Sequence, residues 1–446
     1  MAAYWFDTAR LPDGWADAVR IETDAQGLIS SIQAGADKSG AEIIKGPALP
    51  ALPNVHSHAF QRAMAGLAEY SDGGRDDFWS WRERMYAFLQ RLDPDDIEAI
   101  AAQTYMEMLK GGYGSVAEFH YVHRDPAGGW YGDKAVTAQA IARGAAASGI
   151  GLLVLPVVYL TSGFDGAPLK PRQMRFNAGA DDVAEIRAAL ERDGVRTGLS
   201  VHSLRAAPAE AIAQSLALHS GGPIHIHVAE QVGEVEACLA QTGRRPVERL
   251  YDLAPVDHRW CLIHATHMTP DETRMVSLSG AVAGLCPTTE GNLGDGLFDL
   301  PGLEAHGGVF GVGTDSHVSL NAAEELRWLD YGWRLQQRRR FAEGRAGHRG
   351  ADLWLRAAEG GARALGWATG GLRVGARADI VIPDPEHPSL TGRSGDLLLD
   401  AMVFCHHGQP IRTVISGGVV QVRDGRHPAE DAIAQRYAET LRKLVA

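Results

Sequence analysis

The sequence predicts an α/β protein, a (β/α)8 barrel of the TIM type joined to a small β-sandwich domain built from the two ends of the chain. Three observations carry this. Between about residues 49 and 370, short apolar runs alternate with longer amphipathic, Ala- and Leu-rich segments, the pattern of parallel strands separated by helices. Eight such runs can be placed, the number that closes a barrel. The flanking segments have a different texture, short alternating strands punctuated by Gly and Asp.

Taken in order, Tyr4 to Lys45 reads as short strands with a turn at Asp24–Gly27 and a loop at Gly35–Gly40, which assigns residues 1–48 to the small domain. The barrel strands fall near Leu52–His56, Ser115–Phe119, Gly151–Tyr159, Thr197–His202, Pro223–Val228, Trp260–His264, Ala281–Cys286 and Val309–Thr314. A helix around Asp352–Leu365 ends the barrel, giving it residues 49–370. LRVGARADIVIPDPEHPSL and TVISGGVVQVRDG then return to short strands, so residues 371–446 complete the small domain and finish in a terminal helix. A doubly wound open sheet is disfavoured because no GxGxxG opens a helix.

The chain has 446 residues, 45% of them hydrophobic, so a packed core is expected. A net charge of -12 argues against nucleic acid or an anionic membrane as partner. Any anionic ligand must be held by a local group of cations. Cys238, Cys261, Cys286 and Cys405 lack CxxC spacing, so neither a disulfide framework nor a thiolate zinc site is suggested. No run approaches a membrane span and the first residues lack a secretory pattern, so a cytoplasmic protein is expected. A homodimer is the base-rate expectation for any assembly.

NVHSHAFQRAMAGL places His56 and His58 two apart at the end of an apolar run, so both imidazoles share one face of a strand. PIHIHVAEQ, CLIHATH and GVFGVGTDSH repeat the arrangement of an apolar run ending in His or Asp. His56, His58, His227 and Asp315 would supply imidazole and carboxylate ligands to a divalent ion with a position left open for water. Zinc is the expected ion, although the same donors suit iron or manganese. One ion is expected, because the fourth strand ends in VHSL with no Lys to be carbamylated and no acid to bridge. Glu230, three residues past His227, lies beside that site in position to move a proton. Asp315 either completes coordination or hydrogen-bonds the attacking water, and His264 polarises the water or the tetrahedral centre. His225 reads as a packed barrel histidine and His267 as a surface one. Gln61 and Arg82 after the first strand, Tyr121 after the second, and His202 with Arg205 after the fourth point to a small substrate with more than one carboxylate, because each Arg can grip a carboxylate bidentately.

These motifs resemble the amidohydrolase superfamily, and within it the formimidoylglutamate deiminases, over nearly the whole chain. The resemblance implies hydrolysis of N-formimidoyl-L-glutamate to N-formyl-L-glutamate and ammonia in histidine degradation. It implies one zinc on His56, His58, His227 and Asp315, with Glu230 and His264 acting on the water and the imino nitrogen. Gln61 would meet the formimino end, and Arg82, Tyr121, His202 and Arg205 would hold the carboxylates.

Two other readings compete. A deaminase of a heterocycle such as guanine would use the same barrel and metal, and Phe78, Trp79 and Trp81 favour it. A barrel without catalysis, serving as a binding module, is opposed by the complete set of candidate ligand and proton-transfer residues.

Overall fold

The computed structural model describes residues 2–70, 73, 78–343, 346–367 and 370–445. Two sheets organise it. Seven strands form the sheet of the small domain: β1 (Ala3–Leu11), β2 (Gly14–Thr23), β3 (Ile29–Gln33) and β4 (Glu42–Pro50), with three from the far end of the chain given below. β1 and β2 are a tight antiparallel hairpin, and β4 lies parallel to β1 on its other side.

The barrel follows with one residue between β4 and β5. Its strands are β5 (Leu52–Ser57), β6 (Tyr113–His120), β7 (Gly151–Val158), the two-residue β8 (Arg196–Thr197), β9 (Leu199–Ser203), β10 (Ile224–Val228), β11 (Trp260–His264), β12 (Val282–Leu285) and β13 (Val309–Val312). Eight of them run parallel in the order β13, β12, β11, β10, β9, β7, β6, β5, and β8 pairs only with β7. β5, β6, β10 and β11 are buried at every residue, because their outer faces carry helices and their inner faces fill the barrel. Backbone bonds from the Thr314 and Asp315 amides to the His56 carbonyl, 3.1 and 3.0 Å, join the end of the last strand to the first.

The far-end strands are β14 (Ile380–Pro383), β15 (Ile411–Ser416) and β16 (Val419–Val422). β14 pairs antiparallel with β4, so the two ends of the chain meet there in the order β16, β15, β14, β4, β1, β2, β3. Phe6, Val19, Ile21 and Ile44 pack with Ile380, Ile382 and Ile415 in a core separate from the barrel's.

The helices show why the strands hold their positions. Pro94–Lys110 starts at a capping box: the Asp96 amide donates to Asp93 Oδ1 at 2.9 Å and the Asp93 amide to Asp96 Oδ2 at 3.1 Å. Such a cap contributes about 1 kcal/mol. Ile97, Ile100, Ala101, Tyr105 and Met108, spaced by three and four, bury one face. The helix stops at Gly111, where a Cβ would lie 1.8 Å from the Leu320 carbonyl oxygen, so no other residue fits.

Two features differ from the sequence reading. LRVGARADIVIPDPEHPSL forms one short strand rather than several, and an unforeseen helix, Asp396–Phe404, follows and packs on the helix Arg349–Ala364. The terminal helix Glu430–Val445 lies on the barrel helix Pro94–Lys110, held by Lys443 to Asp93 and Asp96 and by Ile433 against Ala102 and Met106. Its apolar stripe therefore belongs to the barrel side. Residue limits of about 48 and 370 remain our proposed division of the domains. The thiols of Cys238, Cys261, Cys286 and Cys405 are all free. Among the described residues no helix is long and apolar enough to cross a membrane.

Candidate metal centre and substrate cavity

Strand ends put the polar groups in one place. His56 lies in β5 and His58 just past it, His227 is near the end of β10, His264 is the last residue of β11, and Asp315 follows β13. His264 and Asp315 take the left-handed backbone conformation, φ 67° and 45°. Non-glycine residues there cost about 1 kcal/mol or more each, a strain found where side chains must be aimed at a site.

The Nε2 atoms of His56 and His58 are 3.1 Å apart, and those of His56 and His227 are 3.0 Å apart. Asp315 Oδ1 is 3.5 Å from His56 Nε2 and 3.3 Å from His58 Nε2. Donor atoms held about 2.0–2.1 Å from a tetrahedral ion lie about 3.3 Å apart, which these four pairs match. His56, His58 and Asp315 form one group with all donor atoms within 4.8 Å of one another, and His56, His227 and His264 form a second that shares His56. The tautomers agree. His58 Nδ1–H donates to the Phe119 carbonyl at 2.9 Å and His227 Nδ1–H to the His202 carbonyl at 2.8 Å, which leaves both Nε2 lone pairs facing His56 Nε2. Burial first, and neighbouring imidazoles second, hold the pKa values of His56 and His227 well below the usual histidine range. Burial likewise lowers that of His58. Two neutral lone pairs converging with His56 Nε2 on a carboxylate in a buried pocket call for a cation.

Behind the ligands, the buried Glu118 accepts from the Ala59 amide at 2.8 Å and the Tyr105 hydroxyl at 2.9 Å, and also bonds Ser57 Oγ. Ser57, between the two ligand histidines, reaches His317 Nε2 at 3.2 Å, and His317 Nδ1 reaches Thr314 Oγ1 at 2.9 Å. This chain ties β6, β5 and the turn after β13 together. Sequence reasoning passed over Glu118 as part of an apolar run.

On the open side of the centre, Glu230 has a side chain 13% exposed, and its Oε1 is 3.7 Å from His264 Nε2. His264 Nε2 is 3.8 Å from Asp315 Oδ2, and its Nδ1 is 3.3 Å from Glu290 Oε1. Burial raises the Glu230 pKa to about 7. Burial pulls His264 down, but Glu230, the Glu290 hydrogen bond and Asp315 outweigh it and push its pKa up to about 10. The pair therefore sets a carboxyl raised by burial beside an imidazole that its carboxylate neighbours draw toward the protonated form. Glu290, which holds His264 from behind, was not singled out from the sequence.

His58, His227, Glu230, His264 and Asp315 form one part of a cavity whose other walls include Gln61, Arg82, Tyr121, His202 and Arg205. The five candidate substrate contacts are thus brought together. Gln61 Nε2 donates to the Tyr121 hydroxyl at 2.9 Å. Its buried Oε1 has no partner among the described residues, so it can accept from a ligand. Burial chiefly lowers the Arg82 pKa, and Arg205 adds to the lowering, which places the two guanidinium charges within range of each other. Tyr86, Tyr159 and Phe176, which the sequence did not flag, complete the wall. Trp81 lines it as well, whereas the side chains of Phe78 and Trp79 lie outside the described residues. His225 donates to the Ala364 carbonyl at 2.8 Å deep in the barrel, and His267 to the Asp295 carbonyl at 2.8 Å.

A parallel eight-stranded barrel with three histidines, an aspartate and a buried glutamate at the C-terminal ends of its strands defines the class of metal-dependent hydrolases. Residues 48–420 match the profile of the amidohydrolase family, and residues 3–44 that of the N-terminal domain of formimidoylglutamate deiminase HutF. The chain belongs to the amidohydrolase family. It is 48% identical to formimidoylglutamate deiminase of Pseudomonas aeruginosa over 452 aligned residues, covering 100% of both chains. It is 29% identical to 5-methylthioadenosine/S-adenosylhomocysteine deaminase of Natronomonas pharaonis, covering 97% of this chain and 93% of that one. Among solved structures it resembles an amidohydrolase from Brucella melitensis, with 42% identity, complete coverage of both chains and a TM-score of 0.95.

Proposed function

We propose that the chain hydrolyses N-formimidoyl-L-glutamate to N-formyl-L-glutamate and ammonia, a step of histidine degradation. One divalent ion, with zinc the expected one, is held by His56, His58, His227 and Asp315. The observation that carries this reading is the pair Arg82 and Arg205 in one cavity with the cage, in a protein of net charge -12. Two guanidinium groups, with His202 and Tyr121 beside them, suit a ligand bearing two carboxylates. The 48% identity to the Pseudomonas aeruginosa deiminase supports the same substrate.

When bound, the ion supplies positive charge that acidifies a water molecule and polarises the amidine carbon. The protein does the rest. Glu230 takes a proton from the attacking water and delivers it to the imino nitrogen, then carries the remaining proton of the new hydroxyl to the same nitrogen, so that the C–N bond breaks, ammonia leaves and the C–O bond becomes the formyl carbonyl. His264, fixed by Glu290, sets its charge beside the oxygen that becomes negative. Gln61 accepts from the formimino group through its unpartnered Oε1. The same reading implies a cytoplasmic enzyme of a small-molecule substrate, and a homodimer by base rate alone.

Aromatic walls from Trp81, Tyr86, Tyr159 and Phe176 favour a second reading, a planar heterocycle as substrate. One experiment separates the two: ammonia release from N-formimidoyl-L-glutamate, N-formimidoyl-L-aspartate, guanine and adenosine by enzyme of known metal content. Turnover of the formimidoyl amino acid is expected; turnover of a heterocycle alone overturns the reading.

A further inference from the structure

Gln173, in the turn Pro171–Phe176 after β7, is 1% exposed and lies outside the set considered so far. Its Nε2 donates to the Tyr159 hydroxyl oxygen at 3.1 Å and to that of Tyr86 at 3.4 Å. An amide nitrogen has two hydrogens to give and accepts none, so both phenol oxygens act as acceptors here, and each keeps its own hydrogen to donate elsewhere. No acceptor among the described residues takes either hydrogen. Both tyrosines line the cavity that holds Arg82 and Arg205, and the Arg82 guanidinium is 5.6 Å from the Tyr86 ring centre.

Their distance from the cage can be counted in rings. Tyr121 contacts His58 at 4.8 Å between centres and Phe176 at 5.0 Å. Phe176 in turn contacts Tyr86 at 5.6 Å and Tyr159 at 5.4 Å. Tyr159 also contacts His202 at 4.5 Å, and His202 contacts His227 at 4.9 Å. Tyr121 and His202 border the ligands, whereas Tyr159 stands one ring behind His202 and Tyr86 stands behind Phe176. We propose, resting on the dicarboxylate reading above, that Tyr86 and Tyr159, oriented by Gln173, donate to the substrate carboxylate farther from the metal centre and thereby select a glutamate over an aspartate derivative. With its formimino carbon at the cage, a substrate one methylene shorter leaves both hydroxyls without an acceptor, and an unsatisfied buried donor discriminates strongly.

Tyr86→Phe and Tyr159→Phe remove the hydroxyls and keep the rings, so the wall should hold its shape. Each is expected to lower kcat/KM for N-formimidoyl-L-glutamate by about 10- to 100-fold, the range for a hydrogen bond to a charged group. N-formimidoyl-L-aspartate should change by less than about 3-fold, since it never made the contact. Gln173→Leu should give a smaller loss with the same bias. Calorimetric Kd values for N-formyl-L-glutamate and N-formyl-L-aspartate should show the same contrast without relying on turnover. Equal losses for both lengths, or no loss for either, overturn the assignment of the tyrosines. Wild-type enzyme that turns over neither formimidoyl compound and binds neither formyl product overturns the dicarboxylate reading itself.

Discussion

Replacing Glu230 by Gln removes one carboxylate and leaves the side chain's shape. General acid–base catalysis is worth about 10²- to 10⁴-fold, or about 3–5 kcal/mol of barrier. The structure argues for the upper end, because three nearby carboxylates are committed elsewhere and a fourth, Asp295, accepts from Gln231 Nε2. Asp315 belongs to the cage, Glu290 lies behind His264, and Glu234 accepts from the amides of Ala229 and Glu230 at 3.3 and 3.0 Å. We therefore expect kcat/KM near 10⁴-fold below wild type, with metal content and KM little changed. The assay is ammonia release across about pH 5 to 9, together with metal analysis of the same sample. Glu230 must be ionised to accept a proton, so wild-type activity should rise with pH through its pKa of about 7, and a bound cation moves that rise to lower pH. The Gln variant should lack this limb. A variant within tenfold of wild type, or one that keeps the acid limb, would take Glu230 out of proton transfer.

Arg82→Met and Arg205→Met should each raise KM about tenfold to a hundredfold and change kcat less, since each removes a charge-assisted contact to a carboxylate; a fall in kcat at constant KM would refute the clamp. Stability should depend on two buried imidazoles. Burial depresses the pKa of His123 and of His225 to about 4, so the folded state refuses a proton that the unfolded chain accepts below about 6.5. Their contribution, up to about 3 kcal/mol each, is fully present above pH 6.5 and is lost as pH falls toward 4. Melting temperature measured across that window should drop, and His123→Gln should flatten the drop; an unchanged slope would remove His123 from the account.

The legible parts of the fold were those with a local signature. Barrel strands announced themselves because burial on both faces demands unbroken apolar runs, and the ligand histidines because strand alternation brings His56 and His58 to one face. The wall of the cavity had no such signature. Tyr86 comes from the helix Phe78–Leu89, Tyr159 from the residue after β7, and Phe176 from a short turn, and they meet only through tertiary packing. Glu118 was invisible because a lone acid in YGSVAEFH reads as an interruption, and only the fold supplies Ser57, Tyr105 and the Ala59 amide to satisfy it. The helix Asp396–Phe404 lies between LRVGARADIVIPDPEHPSL and TVISGGVVQVRDG, a stretch to which the sequence reading assigns no element; its LLLDAMVF run buries its apolar face on the barrel's final helix.

The seam of the barrel runs through the carbonyl of His56, and Asn54 Nδ2 and Thr314 Oγ1, 260 residues apart in sequence, bond across it at 2.7 Å. During synthesis His56 and His58 exist long before Asp315 does, and until the last strand is laid against the first they are an incomplete claw with low hold on any ion. On the proposed metal site, the full ligand set would come together only once the last strand meets the first. The ion's binding free energy would there fall on a contact that closes a loop of about 260 residues. It acts as a clasp that tells a finished chain from an unfinished one.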